Sequence, residues 1–494
     1  MKLSDLIKNT KVVKTEGDLG IEISGIAHDS RKVNPGDVFV AVPGDTFDGL
    51  KFIPAAIDKG AKVIVAERDF VAHEKAVKII VPSARNALAD LSAEFYGHPS
   101  KKLTVIGITG TNGKTTTTYL IDSIFKEAGK RTAVFGTVEI RIGDSIIQTE
   151  LTTPESLELQ KYFARCVDEG ITHVVMEVSS HSIAKKRIRG IEFDRAVFTN
   201  LSHDHLDFHK TMEAYFDTKM KLFRGLGSGS KKDVVGVVNR DDGYSDAVME
   251  EVNGKVITYS LKRKSDVTGI AGESDFSMMK MEIDLKGTKL QVETSLVGAF
   301  NAYNILAASA LALSLEITPE VIKNGIESLA CVPGRFERIT EGQDYHVIVD
   351  FAHTPDGLEK ILTAVKPFKK RRTILVFGCT GDRDKTKRPI MGEIAARCSD
   401  FSIITSDDPH NEDPEMIIRD VEAGLKKAGG SIDKTYIKIT DRRSAIEKSI
   451  EMACQDDIVI IAGRGHEKIQ EIKGKKIEID DREVAKRSIR GRIG

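Results

Sequence analysis

The stretch Leu103-Thr-Val-Ile-Gly107-Ile-Thr-Gly110-Thr111-Asn112-Gly113-Lys114-Thr115-Thr116 constrains this chain more than any other. An apolar, β-branched run through Val105 and Ile106 feeds a turn with glycines at 107, 110 and 113. A helical pattern then begins through Tyr119, Leu120, Ile121 and Ile124. This order predicts a strand, a phosphate loop and a helix. Glycine lets the loop turn its N–H groups inward with no Cβ in the way, and the helix N-terminus adds partial positive charge. Lys114 adds a full charge, and the Thr115 hydroxyl suits Mg²⁺. A plain glycine turn does not require the Gly-Lys-Thr-Thr that follows in register.

The commonest phosphate loop has a glycine five residues before the one at 113, and this chain has Ile108 there. Its own spacing, with Thr109-Gly-Thr-Asn-Gly-Lys-Thr-Thr116, resembles the ATP-binding loop of the Mur ligase family, which also includes folylpolyglutamate synthases. The resemblance implies ATP and Mg²⁺ as cofactors, with Gly110, Thr111, Asn112, Gly113, Lys114, Thr115 and Thr116 on the nucleotide.

At 494 residues the chain exceeds one ordinary core. Lys plus Arg (73) nearly equals Asp plus Glu (74), so no global field favours nucleic acid or membrane. Cysteines 166, 331, 379, 398 and 454 form no Cys-x-x-Cys pair, which argues against a zinc site or a disulfide framework and suits a reducing cytoplasm. No run approaches the ~20 apolar residues of a membrane span, and the first residues lack a signal-peptide pattern. A cytoplasmic monomer acting on small molecules is expected.

Alternating strand and helix patterns predict an α/β chain of three units. They are a small N-terminal α/β unit (1–100), a central doubly wound parallel sheet of the P-loop ATPase type (101–332) and a Rossmann-like C-terminal unit (333–494). In the first, strands are expected at Val38–Val42, Val63–Ala66 and Lys78–Val81, and helices at Ile53–Lys59 and Ala87–Phe95. His28-Asp-Ser30-Arg31, followed by Pro-Gly-Asp-Val-Phe-Val-Ala, resembles the Mur ligase segment that grips the UDP end of the substrate, implying His28 and Ser30 at the uracil. The same residues can make a turn between strands. Leu50 departs from the histidine frequent after Asp-Gly in relatives.

In the central unit, Thr152-Thr153-Pro154-Glu155 reads as a helix N-cap; the resemblance puts both threonines on the N-acetylmuramoyl-dipeptide. His173-Val-Val-Met-Glu177 ends an apolar strand with a carboxylate that needs a metal or cation. After the strand at Val197 come His203, Asp204, His205, Asp207 and His209, more than a hydrophilic loop explains. The resemblance implies Glu177 and His205 as Mg²⁺ ligands beside Thr115, with Lys219 carbamylated as a further ligand. Periodicity alone puts Lys219 on the surface and leaves Lys221 an equal candidate. Ser179, Lys185 and Arg187 match positions holding the acidic dipeptide, although relatives often have glutamine at 185. Asn301 and Asn304 lie on one helix face and resemble the adenine-binding segment.

The third unit opens at Val332-Pro333-Gly334-Arg335, with strands expected at Val347–Asp350, Thr373–Phe377, Phe401–Ile404 and Ile458–Ala462. By resemblance Arg335 and Asp350 join the ATP site and Arg383 binds the incoming amino acid's carboxylate. Gly463 and Glu467 meet its distal ammonium, in a site that also includes Asp407, Asp408 and His410. The family reaction implied is ATP-dependent amide formation through an acyl phosphate, adding a diamino acid to UDP-N-acetylmuramoyl-L-alanyl-D-glutamate. Relatives that add meso-2,6-diaminopimelate typically show Asp-Asn-Pro-Arg where this chain has Asp407-Asp408-Pro409-His410. His410 lacks the arginine fork and Asp408 repels a carboxylate. Gly465-His466-Glu467 resembles the diaminopimelate enzymes, which favours that acceptor over L-lysine. A folylpolyglutamate synthase and a non-ligating, ATP-dependent binding protein are the other readings.

Overall fold

The computed structural model describes residues 1–44, 48–71, 76–149 and 151–493. Strand Thr104–Thr109 lies at the heart of an eleven-stranded sheet, flanked by Arg195–Phe198 and His173–Glu177, to both of which it is parallel. Its burial on both faces follows from the continuous apolar run noted above. Register brings Glu177 opposite Ile108 and Phe198 opposite Thr109. Segments 69 and 89 residues farther along the chain thus end at one sheet edge beside the phosphate loop, where open parallel sheets bind ligands.

Helix Lys114–Glu127 starts directly after Gly113. It turns Leu120, Ile121, Ile124 and Phe125, each at most 1% exposed, onto the sheet and onto helices Ala299–Ser314 and Pro319–Glu327. Each such side chain contributes about 1.5–3 kcal/mol by leaving water, so the loop rests on a firm base.

The N-terminal sheet has five strands, Val38–Val40 lying between Ile26–Ala27 and Val63–Ala66. The expected helix at 87 begins three residues earlier, at Ala84, because Ser83 accepts a hydrogen bond from Asn86 N–H and caps it. The expected strand 78–81 is Val77–Ile80. A third, six-stranded sheet has His346–Asp350, Ile458–Ala462, Thr373–Phe377 and Phe401–Ile404 as successive parallel neighbours. Behind its edge the fully buried Arg442 grips Asp481 through both carboxylate oxygens, at 2.9 and 2.6 Å. A separate hairpin, Ile469–Ile472 with Lys475–Glu478, projects beside that edge. Among the described residues no helix is long and apolar enough to cross a membrane.

Candidate active site

Two glycines let the phosphate loop close on its neighbours. Gly110 and Gly113 have φ of 145° and 86°, and a Cβ would strike Thr199 Oγ1 at the first and Asn304 Oδ1 at the second. Asn112 N–H donates to Asn200 Oδ1 at 3.0 Å, and its carbonyl accepts from Thr199 Oγ1 at 2.7 Å. The loop is therefore clamped from the adjacent strand end.

The Thr115 hydroxyl donates to Glu177 Oε2 at 3.1 Å and accepts from Arg335 Nη2 at 3.0 Å. Glu177, 1% exposed, also accepts from the Thr137 amide at 2.9 Å and its hydroxyl at 3.0 Å. Two hydroxyls and an amide hold this buried acid. A carboxylate and a hydroxyl at the mouth of a phosphate loop are hard oxygen donors, and the set fits Mg²⁺.

Lys114 Nζ donates to the carbonyls of Gly110 (3.0 Å) and Thr111 (2.8 Å), and Lys219 Nζ donates to that of Gly110 (2.9 Å). Two amines share one carbonyl, and among the described residues neither forms an ion pair. Burial pushes both below the ordinary lysine value, Lys219 further because Lys114 repels it. The surface position that periodicity gives Lys219 is wrong: it is 1% exposed, whereas Lys221 is exposed and faces Asp217 at 3.5 Å. Helix Met212–Arg224 turns Tyr215 and Lys219 to the same inner face, the amine 4.6 Å from the ring centre.

The histidine cluster divides by task. His205 pairs with Asp204 (Nε2 to Oδ2, 3.3 Å) and meets His181 edge-on at 4.8 Å. Burial pulls these two imidazoles down to about 3 and about 4, so both are neutral. His209 contacts Ser180 Oγ at 2.9 Å in the interior, and His203 faces Asp384 of the C-terminal unit at 3.4 Å.

These groups open into a cleft of about 2270 Å³ between the central and C-terminal sheets. It is lined by Thr111 to Thr116, Thr152, Glu177, Ser179, Lys185, Arg187, His205, Asn304, Arg335, Asp350, Arg383, Asp407, Asp408, His410, Gly463 and Glu467. Thr153, fully buried, donates to the Glu177 carbonyl at 2.9 Å. It caps no helix, because Pro154 and Glu155 run on before the helix Ser156–Asp168. Arg187 is held by Glu155 at 2.7 Å. Asn301, 2% exposed, donates to Val297 O at 2.9 Å and accepts from Asn304 at 3.2 Å, leaving Asn304 as the amide on the cleft. His28 and Ser30 sit away from it, on the N-terminal unit; His28 Nδ1, 4.0 Å from Glu158, is buried with no hydrogen bond among the described residues.

Several residues at the site escape sequence reasoning. Thr137 is the main ligand of the Glu177 carboxylate, and its carbonyl meets His466 Nε2 at 3.3 Å. Its place just past strand Thr132–Phe135 is a signal that the strand-end rule could have used. Asp356 accepts from Asn112 Nδ2 at 2.6 Å and Ser202 Oγ at 3.2 Å, tying the C-terminal unit to the phosphate loop.

The far end of the cleft is acidic. Asp408 pairs with the buried Arg464 at 2.8 Å, while Asp407 Oδ2 is buried with no hydrogen bond among the described residues. Burial and the Asp407 charge lift Glu467 to about 8, against the pull of Arg464 and Arg442. Such a pocket takes a cation. Glu467 pairs with an ammonium only when ionised, so KM for a diamino acid is expected to fall as pH rises from about 6.5 to about 8.5. A Glu467→Gln variant should show a flat profile in steady-state assays; an unchanged slope would remove Glu467 from the amine site.

Three family descriptions match the chain: "Mur ligase family, catalytic domain" at residues 22–96, "Mur ligase middle domain" at 108–312 and "Mur ligase, glutamate ligase domain" at 334–465. A protein of Syntrophomonas wolfei named UDP-N-acetylmuramoyl-L-alanyl-D-glutamate–2,6-diaminopimelate ligase is 44% identical over 493 residues, 100% of each chain. The chain belongs to the Mur ligase family. A like-named Mur ligase of Caldanaerobacter subterraneus is 43% identical over 486 residues, 98% of each chain. A solved structure of a diaminopimelate ligase of that name superposes with a TM-score of 0.68 at 30% identity, covering 100% of this chain and 99% of the other. The ATP-dependent ligase expected from the phosphate loop is thus the family to which the whole chain is similar, and the non-ligating reading falls away.

Proposed function

We propose that this Mur ligase joins meso-2,6-diaminopimelate to UDP-N-acetylmuramoyl-L-alanyl-D-glutamate at the expense of ATP, a step of peptidoglycan precursor synthesis in the cytoplasm, acting as a monomer. One observation carries the reading. A single cleft has cationic phosphate-binding groups at one end and an acidic pocket with an unpartnered carboxylate oxygen at the other, in a chain 44% identical over its whole length to a ligase of that name. The units proposed are residues 1–100 for the UDP end, 101–332 for ATP and 333–494 for the amino acid.

In this scheme an oxygen of the glutamate side-chain carboxylate attacks the γ-phosphorus, the bond to the bridging oxygen breaks and ADP leaves. The amine then attacks the acyl carbon, phosphate departs with the bonding pair, and nitrogen loses a proton as the amide forms. Lys114 and Arg335 would face the transferred phosphoryl group, supplying charge in a site already fixed by hydrogen bonds. Thr115, Glu177, His205 and Lys219 as a carbamate would hold Mg²⁺, which supplies further charge neutralisation when bound. Asn304 and Asp350 fit the rest of the nucleotide. Thr152, Ser179, Lys185 and Arg187 fit the muramoyl-dipeptide, with His28 and Ser30 at its uracil. Arg383 would bind the incoming α-carboxylate, and Asp407, Gly463 and Glu467 its distal ammonium.

Phosphate release in the purified protein tests this. It is expected to need both the UDP-linked dipeptide and meso-diaminopimelate. Release independent of either would rule out ligation, and a much higher kcat/KM for L-lysine, the acceptor that Asp408 favours, would overturn the choice of amino acid.

A further inference from the structure

At the wall that ends the amino-acid pocket, loop 406–410 is stapled to the hairpin Ile469–Ile472/Lys475–Glu478. His410, with φ 47°, donates its N–H to Glu471 O at 3.0 Å and accepts from Lys473 N–H at 2.6 Å. Glu471 N–H donates to Asp408 Oδ1 at 2.8 Å, and Gln470 Nε2 donates to the Asp407 carbonyl and to Ser406 Oγ. Both backbone groups of His410 are therefore committed, which fixes where its ring can reach. That ring points at the hairpin: Nδ1 lies 3.6 Å from Glu471 Oε2.

We infer that Glu471 is a specificity-determining residue: by holding the His410 imidazole against the hairpin, it withholds from the pocket the side chain best placed to receive a second carboxylate. His410 lines the cleft with the acids Asp407, Asp408 and Glu467, and Lys468 and Lys476 from the hairpin side line it as well. Arg464 is committed to Asp408 at 2.8 Å, and Arg442 to Asp481. With Glu471 as its partner, His410 offers a distal carboxylate little, so the pocket discriminates weakly between diamino acids with one carboxylate and those with two. Without that partner, the ring is free to turn on χ1 and donate to the distal carboxylate while its backbone stays stapled.

This inference rests on the site being that of a diamino acid, and the test separates the two. Steady-state kcat/KM is measured for meso-diaminopimelate and L-lysine with the wild type, Glu471→Gln, His410→Ala and the double variant. Glu471→Gln is expected to raise the diaminopimelate-to-lysine ratio about threefold or more, the scale of one partly exposed polar contact. The change should fall on KM for diaminopimelate, with kcat and the lysine constants unmoved, and should vanish in the His410→Ala background. An equal change with both amino acids, no change, or persistence without His410 would overturn the inference. If the wild type does not use diaminopimelate at all, it is the acceptor proposed above that fails. Appearance of diaminopimelate turnover in Glu471→Gln then supports the staple, and its absence refutes it.

Discussion

Lys114→Ala is expected to lower ATP-dependent phosphate release at least about a thousandfold, the scale of losing a preorganised charge at a transferring phosphoryl group. The same change should leave the ligand-free protein as stable as before, or more so. The Lys114 side chain is half-buried; among the described residues its amine bonds only to the carbonyls of Gly110 and Thr111, and it sits near the buried amine of Lys219, on the first of these. Burial disfavours its charge, and no ion pair among the described residues offsets that cost. Activity and thermal melting read the two effects separately. A large fall in melting temperature would make Lys114 a structural residue, and retained phosphate release would move the nucleotide away from this loop.

Lys219→Ala is expected to cost about a hundredfold or more in kcat, and part of the loss should return with acetate or formate, which replace a missing carboxylate-like oxygen donor. Burial and the Lys114 charge favour the neutral amine, the form that attacks CO₂; the product is a carbamate anion and a released proton. This replaces an amine beside Lys114 with an anion that attracts it. Stripping bicarbonate should accordingly weaken the wild type. Failure of small acids to rescue the variant, with bicarbonate-independent wild-type rates, would mean that Lys219 acts as an unmodified amine.

The contrast between Lys219 and Lys221 shows where local pattern stops being informative. Helical spacing alone made both surface residues, yet one is 1% exposed and the other pairs with Asp217 at the surface. The difference comes from helix Met212–Arg224 packing Tyr215, Leu222 and Phe223 onto the sheet, a choice of face that depends on partners far away in the chain. Thr153 behaves likewise: Thr-before-Pro reads as a cap, but its hydroxyl goes to the Glu177 carbonyl, 24 positions on. Arg187 is taken by Glu155. A hydrogen bond between distant segments has no periodicity to betray it.

Short-range chemistry alone determined the phosphate loop, the α/β class and the strands on which the site stands, because glycine spacing, β-branched runs and helix starts are properties of contiguous residues. Strands Thr373–Phe377 and Ile458–Ala462 fall where their apolar runs predict them. Only the tertiary structure decided that Thr104–Thr109 lies between the strands ending in Glu177 and Phe198. It also decided that Thr137 reaches Glu177, that Asp356 reaches the phosphate loop, and that the His410 ring meets Glu471 at the cleft wall. Those outcomes depend on which sheet edges and loops meet in space, and desolvation and hydrogen bonding choose among such meetings only once the chain has folded.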